Sequence, residues 1–406
     1  MSASGRCTVI VPCRNGKSRI AADPFEFPAA KITCNIQTRC YSTDHNSNGT
    51  HTIANREKAM KKALCTLVTL ACLVSLFGGC AAQKEYPIAW SHYTGWEPWD
   101  YADAAGILKK WGDKYKIKIK LVRVNDYVES INLFTAKKYY GCAMTNMDAL
   151  TIPALGGVDS TALIIGDFSN GNDGIVTKNE TMVMGLKGKK VKLVQLSVSH
   201  YLLSRALSMN GMTEKDLTLV NTSDADIGSV FLSDPAGIAV TWNPILMNVA
   251  QSKGVNLIFD SSKIPGEIID LMVVHSDAPD ELKKALVGAW YETMAVMNGG
   301  AKAGEALAHM AKSAGTTVDG FKAQLATTAM FYKPGEAAKF ARNKKLATTM
   351  EYVRTFSFEK GLYGQGNKTK DFVGISFPDG SVLGDRNNVK LRFDDRYMQM
   401  AADGKL

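Results

Sequence analysis

Lys190–Asn210 reads KVKLVQLSVSHYLLSRALSMN. Lys190–Leu196 has the character of a strand, and a helix opens at His200 after Ser197-Val198-Ser199 and runs to Asn210. The same step recurs downstream. Leu217–Val220 predicts a strand, Ala225–Leu232 a short helix, Gly237–Val240 a strand, Pro244–Gln251 a helix and Val255–Phe259 a strand. The preceding stretch follows the same plan. Tyr86–Trp90 reads as a strand, and Asp100–Lys114 sets Ala104, Ile107, Leu108 and Trp111 at helical spacing. Lys116–Val124 alternates Lys with Ile and Leu, as a strand does; Asp126–Lys138 reads as a helix, Gly141–Met144 as a buried strand, and Met147–Leu155 as a helix. Thr161–Ile165 and Gly174–Thr177 read as further strands.

Strands separated by helices predict parallel sheets. Ile268–Val274 then reads as a strand that crosses back to the first unit. The remainder to about residue 365 is largely helical, from a start at Ser276-Asp277-Ala278-Pro279, and a polar tail holds one strand-like run at Val373–Phe377. The expected class is α/β, with two lobes around a ligand cleft. Residues 86–170 form the first part of lobe 1, 171–268 form lobe 2, and 269–406 return to lobe 1 with a helical C-terminal region. Ligands of such sheets bind beyond the carboxyl ends of the strands.

The 406 residues are 46% hydrophobic and 21% charged, enough for two cores, and carry a formal net charge of +9. The charge is unevenly placed. Met60-Lys61-Lys62, an apolar run from Ala63 to Phe77, and Gly78-Gly79-Cys80 form a secretory signal over residues 60–79, too short to span a bilayer comfortably. Its end resembles a bacterial lipobox, with Phe77 where Leu is usual, which would make Cys80 the lipidated first residue of the mature chain, followed by a tether over 80–85. Residues 1–59 upstream are expected to be a start-site artefact or a disordered extension. Without residues 1–79, 38 of the 48 basic and 35 of the 39 acidic residues remain, a net charge of +3. The basic signal then mostly disappears, and a nucleic-acid partner loses its main support. Seven of the eight cysteines lie at or before Cys80. Cys142 alone remains in the body, so no internal disulfide or zinc cluster is expected, and it reads as a buried small hydrophobe.

The strand ends carry the functional signal. Residues 141–176, 219–252 and 264–282 hold no Lys or Arg, yet contain Asp148, Asp159, Asp167, Asp173, Asp224, Asp226, Asp234, Glu267, Asp270, Asp277, Asp280 and Glu281. Tyr93, Trp96, Trp99, Tyr127, Tyr201 and Trp242 fall at the same ends. A small cation suits such a lining, because carboxylates supply charge-assisted hydrogen bonds and aromatic faces supply cation–π contact. An anion would find few partners.

Several candidates have a second reading. Asp126 and Ser223-Asp224-Ala225-Asp226 fit helix caps. Asp148 fits a dipole role in a first helical turn. His200 fits a packed histidine as well as a ligand contact. Trp242 reaches the cleft or an interlobe contact. Glu267 and Asp270 would face opposite sides of a strand, so at most one meets a ligand. Enzyme motifs are missing: Gly185-Leu186-Lys187-Gly188-Lys189-Lys190 is not a P-loop, there is no HExxH or GxSxG, and His92, His200, His275 and His309 are scattered.

Taken together, Thr145–Leu150, Ser197–Leu203, Asn221–Asp226, Thr241–Pro244 and Ser261–Leu271 resemble substrate-binding proteins of ABC transporters linked to urea carboxylase, a group within the nitrate/sulfonate/taurine-type binding-protein family. The likeness runs from about Tyr86 to Phe377. It implies a two-lobed periplasmic-binding-protein fold of type II, a role in guanidine or urea uptake, and a membrane permease with its ATPase as partners. Guanidinium only donates hydrogen bonds, which the acidic strand ends favour, whereas urea needs a donor facing its carbonyl.

The expected ligand contacts are Trp96, Asn146, Asp148, Asp173, Ser197, His200, Trp242, Asn243, Glu267 and Asp270. No cofactor, metal or catalysis is expected. The chain is expected to be a monomer, in the periplasm or on the outer face of the cell membrane, held only by a lipid on Cys80. The lobes are expected to close about a hinge near 166–176 and 264–272. The rival readings are a urea-, nitrate- or sulfonate-binding protein, a sensor module, and an enzyme resembling thiamine-precursor synthases of the same fold.

Overall fold

The computed structural model describes residues 83–363 and 367–406. The signal segment, Cys80 and residues 1–59 lie outside the described residues.

Two sheets organise the chain. The larger contains β1 (Glu85–Trp90), β2 (Lys118–Arg123), β3 (Gly141–Thr145) and β4 (Ser160–Ser169). The chain then leaves it to build the smaller sheet from β5 (Asp173–Thr177), β6 (Lys190–Leu193), β7 (Thr218–Asn221), β8 (Ile238–Trp242) and β9 (Asn256–Asp260). It returns through β10 (Ile269–His275) and adds β11 (Thr328–Met330), β12 (Gly374–Ser376), β13 (Val382–Leu383) and β14 (Val389–Phe393). The larger sheet runs β13-β12-β14-β4-β10-β3-β1-β2, with β11 beside β4, and the smaller runs β7-β6-β8-β5-β9. Each sheet with its helices forms one lobe.

Sequence explains the positions within the sheets. β3 and β10 (GCAMT and IDLMVVH) are buried throughout and sit centrally, covered on both faces. β2 (KIKLVR) alternates exposed and half-buried residues and lies at an edge, where its lysines discourage pairing with another chain.

The sheets are mixed, not parallel throughout. β1–β2, β1–β3, β6–β7 and β6–β8 are parallel, as strand–helix alternation predicts. β10 is antiparallel to β3 and β4, and β5 is antiparallel to β8 and β9. The cause is the double crossing between lobes. β4 runs on to Ser169, past the predicted end at Ile165, and β5 begins at Asp173 with no helix between them. The return from β9 to β10 lies alongside, where Ser169 and Ser261 hydroxyls meet at 2.6 Å and Gly171 N–H donates to Ser261 Oγ at 2.7 Å. The tail carries more structure than its polarity suggests: β14 pairs with β4, and the Arg396–Ala402 helix follows. These strands are short and partly exposed, so their long-range partners leave little periodic signal.

One apolar core runs through both lobes and includes the buried Trp90, Trp99 and Trp290. A smaller cluster around Phe231 and Ile227 packs under β5 and β8. Cys142 is buried within β3 at 0% exposure, and burial pushes its thiol up to about 12.

Candidate functional site

Strand register gathers the acidic residues. Asp270 lies opposite Thr145 of β3 on one side and Asp167 of β4 on the other. Asp173 lies opposite Trp242 across β5 and β8. Directly opposed residues share a face of the sheet, so each pair points the same way. The result is a small pocket between the lobes, lined by Tyr93, Trp96, Tyr127, Thr145, Asp173, Val198, Trp242, Ile268 and Asp270, with at most about 240 Å³ free of atoms. About 10 Å³ of it is open to the centre of a water-sized sphere, room for about one water molecule.

Aromatic rings form much of the wall. Tyr93 and Trp96 have centroids 4.9 Å apart, Trp96 and Tyr127 5.6 Å, and Tyr127 and Trp242 5.5 Å. Gly95 lets this wall approach: a Cβ there would stand 2.5 Å from Asp167 Oδ2 and 2.5 Å from Tyr93 Cε1.

The carboxylates are incompletely satisfied. Asp148 Oδ2 accepts from Tyr127 Oη at 2.6 Å and Thr145 Oγ1 at 2.8 Å, and Asp167 Oδ1 accepts from Tyr93 Oη at 3.2 Å. One oxygen each of Asp148, Asp167, Asp173 and Asp270 is buried with no hydrogen-bond partner. Trp96 Nε1 is likewise buried and unpartnered. Among the described residues, no Lys, Arg or His pairs with any of the four aspartates. Groups of this kind in a cleft make the pocket a candidate ligand site.

Burial raises all four carboxyls. Asp148 rises to about 6, moderated by the Tyr127 and Thr145 hydroxyls and the backbone N–H of Val198. Asp173 rises to about 7, moderated by the Ser169 hydroxyl and reinforced by the charge of Asp148. Burial raises Asp167, moderated by hydrogen bonds with Asp270 and Tyr93 and reinforced by the charge of Asp173, while burial and then the charges of Asp167 and Asp173 push Asp270 far above its ordinary value.

The lobes meet around this pocket. Trp242 Nε1 donates to His92 O at 3.2 Å, Thr94 N–H to Asn243 O at 3.3 Å, and Tyr127 N–H to Asp224 Oδ1 at 3.2 Å. Each bond joins the larger lobe to the smaller.

The ten sequence candidates divide evenly. Trp96, Asp173, Trp242 and Asp270 line the pocket, and Asp148 bonds to its lining residues Tyr127 and Thr145. The other five are occupied elsewhere. Asn146 clips the return segment, donating to Glu267 O and accepting from Ile269 N–H. Ser197 caps the Val198–Met209 helix. His200 is packed, accepting from Leu196 N–H at Nδ1 and meeting Glu214 at Nε2. Asn243 accepts from Met247 N–H and donates to Thr327 Oγ1. Glu267 precedes β10 instead of lying in it, and binds Arg205 and Tyr201. Asp126 is a helix cap, accepting from Glu129 N–H. Tyr93, Tyr127, Thr145 and Asp167 are the additions. All four fall at strand ends, where aromatic and acidic residues were already visible.

A larger open groove, about 820 Å³ free of atoms, lies between the Val198–Met209 helix and the Lys344–Glu359 helix. Most of its charges are matched: Arg205 pairs with Glu267, and Glu214 with Lys360 and His200, while the exposed Glu359 has no ion-pair partner among the described residues. Burial would raise Glu214, but His200 and Lys360 bring it down to about 2. Among the described residues no group of three or more His, Cys, Asp or Glu is placed to hold a metal ion, and no helix is long and apolar enough to cross a membrane.

No family model matches the chain, and no curated protein does. Solved structures do. The alkanesulfonate-binding protein of Xanthomonas axonopodis pv. citri, bound to MOPS, is 13% identical with a TM-score of 0.58, over 70% of this chain and 96% of that one. A zinc-bound ligand-binding component of an ABC-type import system from Staphylococcus aureus is 12% identical, with a TM-score of 0.54, over 71% and 100%. A Candida albicans protein described as having the generic periplasmic binding protein fold is 15% identical, with a TM-score of 0.50, over 63% and 83%. At such identities the likeness speaks for architecture alone, and the architecture of this chain is the periplasmic-binding-protein fold.

Proposed function

We propose that the chain is the extracytoplasmic solute-binding component of an ABC importer, and that its cargo is a small, flat, nitrogen-rich cation, guanidinium first. The observation that carries this reading is the charge imbalance of the pocket. Four buried aspartates each keep a carboxylate oxygen free, no basic side chain among the described residues pairs with them, and aromatic rings wall the small pocket they border. Guanidinium supplies six N–H donors, one positive charge and a flat face for Trp96 or Trp242. A sulfonate would bring negative charge against four carboxyls. The importer role draws support from the fold, which a ligand-binding component of an ABC-type import system shares. In this reading no bond is made or broken; the lobes close, and the closed form docks on a permease. The signal over residues 60–79 and Cys80 would place the protein outside the cytoplasm on a lipid anchor.

Urea is the second reading, favoured by one observation. Trp96 Nε1 is an unpartnered donor, and a protonated carboxyl would be another. Titration calorimetry of the purified protein with guanidinium, urea and methanesulfonate separates the readings. Saturable binding of guanidinium in preference to urea, with no response to methanesulfonate, is the expected result. Preference for methanesulfonate would overturn the cation reading.

A further inference from the structure

We infer that Asp167 and Asp270 form a proton-sharing carboxyl dyad that presents a single negative charge to the ligand. The inference deepens the cation reading above and rests on it for its binding arm.

The geometry begins with strand pairing. Asp167 and Asp270 are directly opposed in the antiparallel β4–β10 ladder. Opposed residues of such a pair hold their Cβ atoms about 4.5–5.5 Å apart on one face. Both side chains are buried, at 0% and 2% exposure. The groups around them offer no compensating charge. From the loop after β1, Tyr93 donates a hydroxyl to Asp167 Oδ1, and Gly95 packs against Asp167 Oδ2. From β3 comes Thr145, from β5 Asp173, and from beyond β11 Tyr332. Trp96 borders Asp270 in the pocket. One of these neighbours is acidic and the rest are neutral. Two adjacent buried carboxylates without a cation cannot both be ionised, and one retains its proton. A proton between the two satisfies one oxygen of each. The remaining free oxygens, Asp167 Oδ2 and Asp270 Oδ2, are both buried and unpartnered. Asp270 lines the pocket and faces a cation, with Asp167 behind it, so the two present one delocalised charge.

The dyad separates the four aspartates into two kinds. Asp148 and Asp173 each act as an ordinary carboxylate, whereas Asp167 and Asp270 count once between them. An asparagine at either dyad position therefore imitates the protonated partner: its amide donates to the remaining carboxylate, and the charge facing the ligand is unchanged.

The test has two arms. In the first, infrared difference spectroscopy at about pH 8, above the range where Asp148 and Asp173 titrate, looks for the carbonyl stretch of a protonated carboxylic acid. The ligand-free wild-type protein should show the band, and both Asp167→Asn and Asp270→Asn should lose it. A wild-type spectrum without it, or a band that survives in both variants, overturns the dyad whatever the ligand proves to be. In the second arm, guanidinium affinity is measured for each single variant and for the double. Each single change should cost less than about 10-fold and the double at least about 100-fold. Single variants as weak as the double would mean both groups act as anions, which also overturns the inference. Failure of the wild-type protein to bind guanidinium would instead overturn the cation reading and leave the spectroscopic arm to decide the dyad.

Discussion

The pocket and the groove both lie between the lobes, and they treat charge in opposite ways. The groove is more than three times as large, about 820 Å³ against 240 Å³, and on its lining Arg205 pairs with Glu267 and Glu214 with Lys360 and His200, leaving the exposed Glu359 without an ion-pair partner among the described residues. The pocket holds Asp173 and Asp270 on its lining, Asp148 and Asp167 just behind, and no basic partner among the described residues. In the groove the protein satisfies itself. In the pocket burial has been imposed on four carboxyls without the ion that would offset it. Free volume alone would direct attention to the groove; unbalanced charge directs it to the pocket.

The contrast can be broken most forcefully at the pocket. Asp148→Ala combined with Trp242→Ala should abolish guanidinium binding, a loss of at least about 1,000-fold by calorimetry, because it removes a buried charge partner and a desolvated ring together. Trp242→Ala alone should cost about 30-fold, the value of one desolvated cation–π contact of about 2 kcal/mol. It also removes the interlobe bond to His92 O.

Acid sharpens the contrast further. Asp173 and Asp148 have been raised to about 7 and about 6. Guanidinium binds their ionised forms, so its affinity should fall as pH drops from 8 towards 5, by up to about 10-fold per pH unit for each carboxylate being protonated. Urea affinity should not fall in that window. The ligand-free protein should respond in the other direction. These groups bind protons more tightly folded than unfolded, so their stabilising effect is complete below about pH 4 and is lost as pH rises from there to about 7. Thermal melts should therefore show a melting temperature that declines over that range, with guanidinium restoring it most at pH 8.

Smaller effects are expected where charges are matched or local. Arg205→Ala or Lys360→Ala in the groove should change affinity by no more than about 5-fold, as partly exposed ion pairs contribute about 0–1 kcal/mol. A large loss there would shift the site to the groove. Asp126→Ala should leave affinity unchanged and cost about 1 kcal/mol of stability in denaturant melts, the loss of one helix cap.

The sequence made the fold class legible because strand and helix periods alternate over long stretches, as in Lys190–Asn210. It also made the chemistry legible, since stretches without Lys or Arg but with Asp and aromatic residues fall at strand ends. Asn146, Ser197, His200, Asn243 and Glu267 hold local structure for a common reason. Each is a polar residue at a strand or helix end, where backbone N–H and C=O groups need partners, and each is spent on that need. Asp167 was within view but not among the expected contacts, because β4 extends past Ile165 and its pairing with Asp270 joins residues more than a hundred positions apart. Register across a sheet is a tertiary fact that one strand's residues do not encode.

The most direct test of the central claim is a crystal structure of the protein grown with guanidinium. The account predicts a closed form with the cation in the small pocket, flat against Trp96 or Trp242, its N–H groups on Asp173 and on the Asp167–Asp270 pair. An anion held there by backbone amides, or a ligand seated in the groove beside Arg205 with the pocket carboxylates turned to solvent, would contradict it.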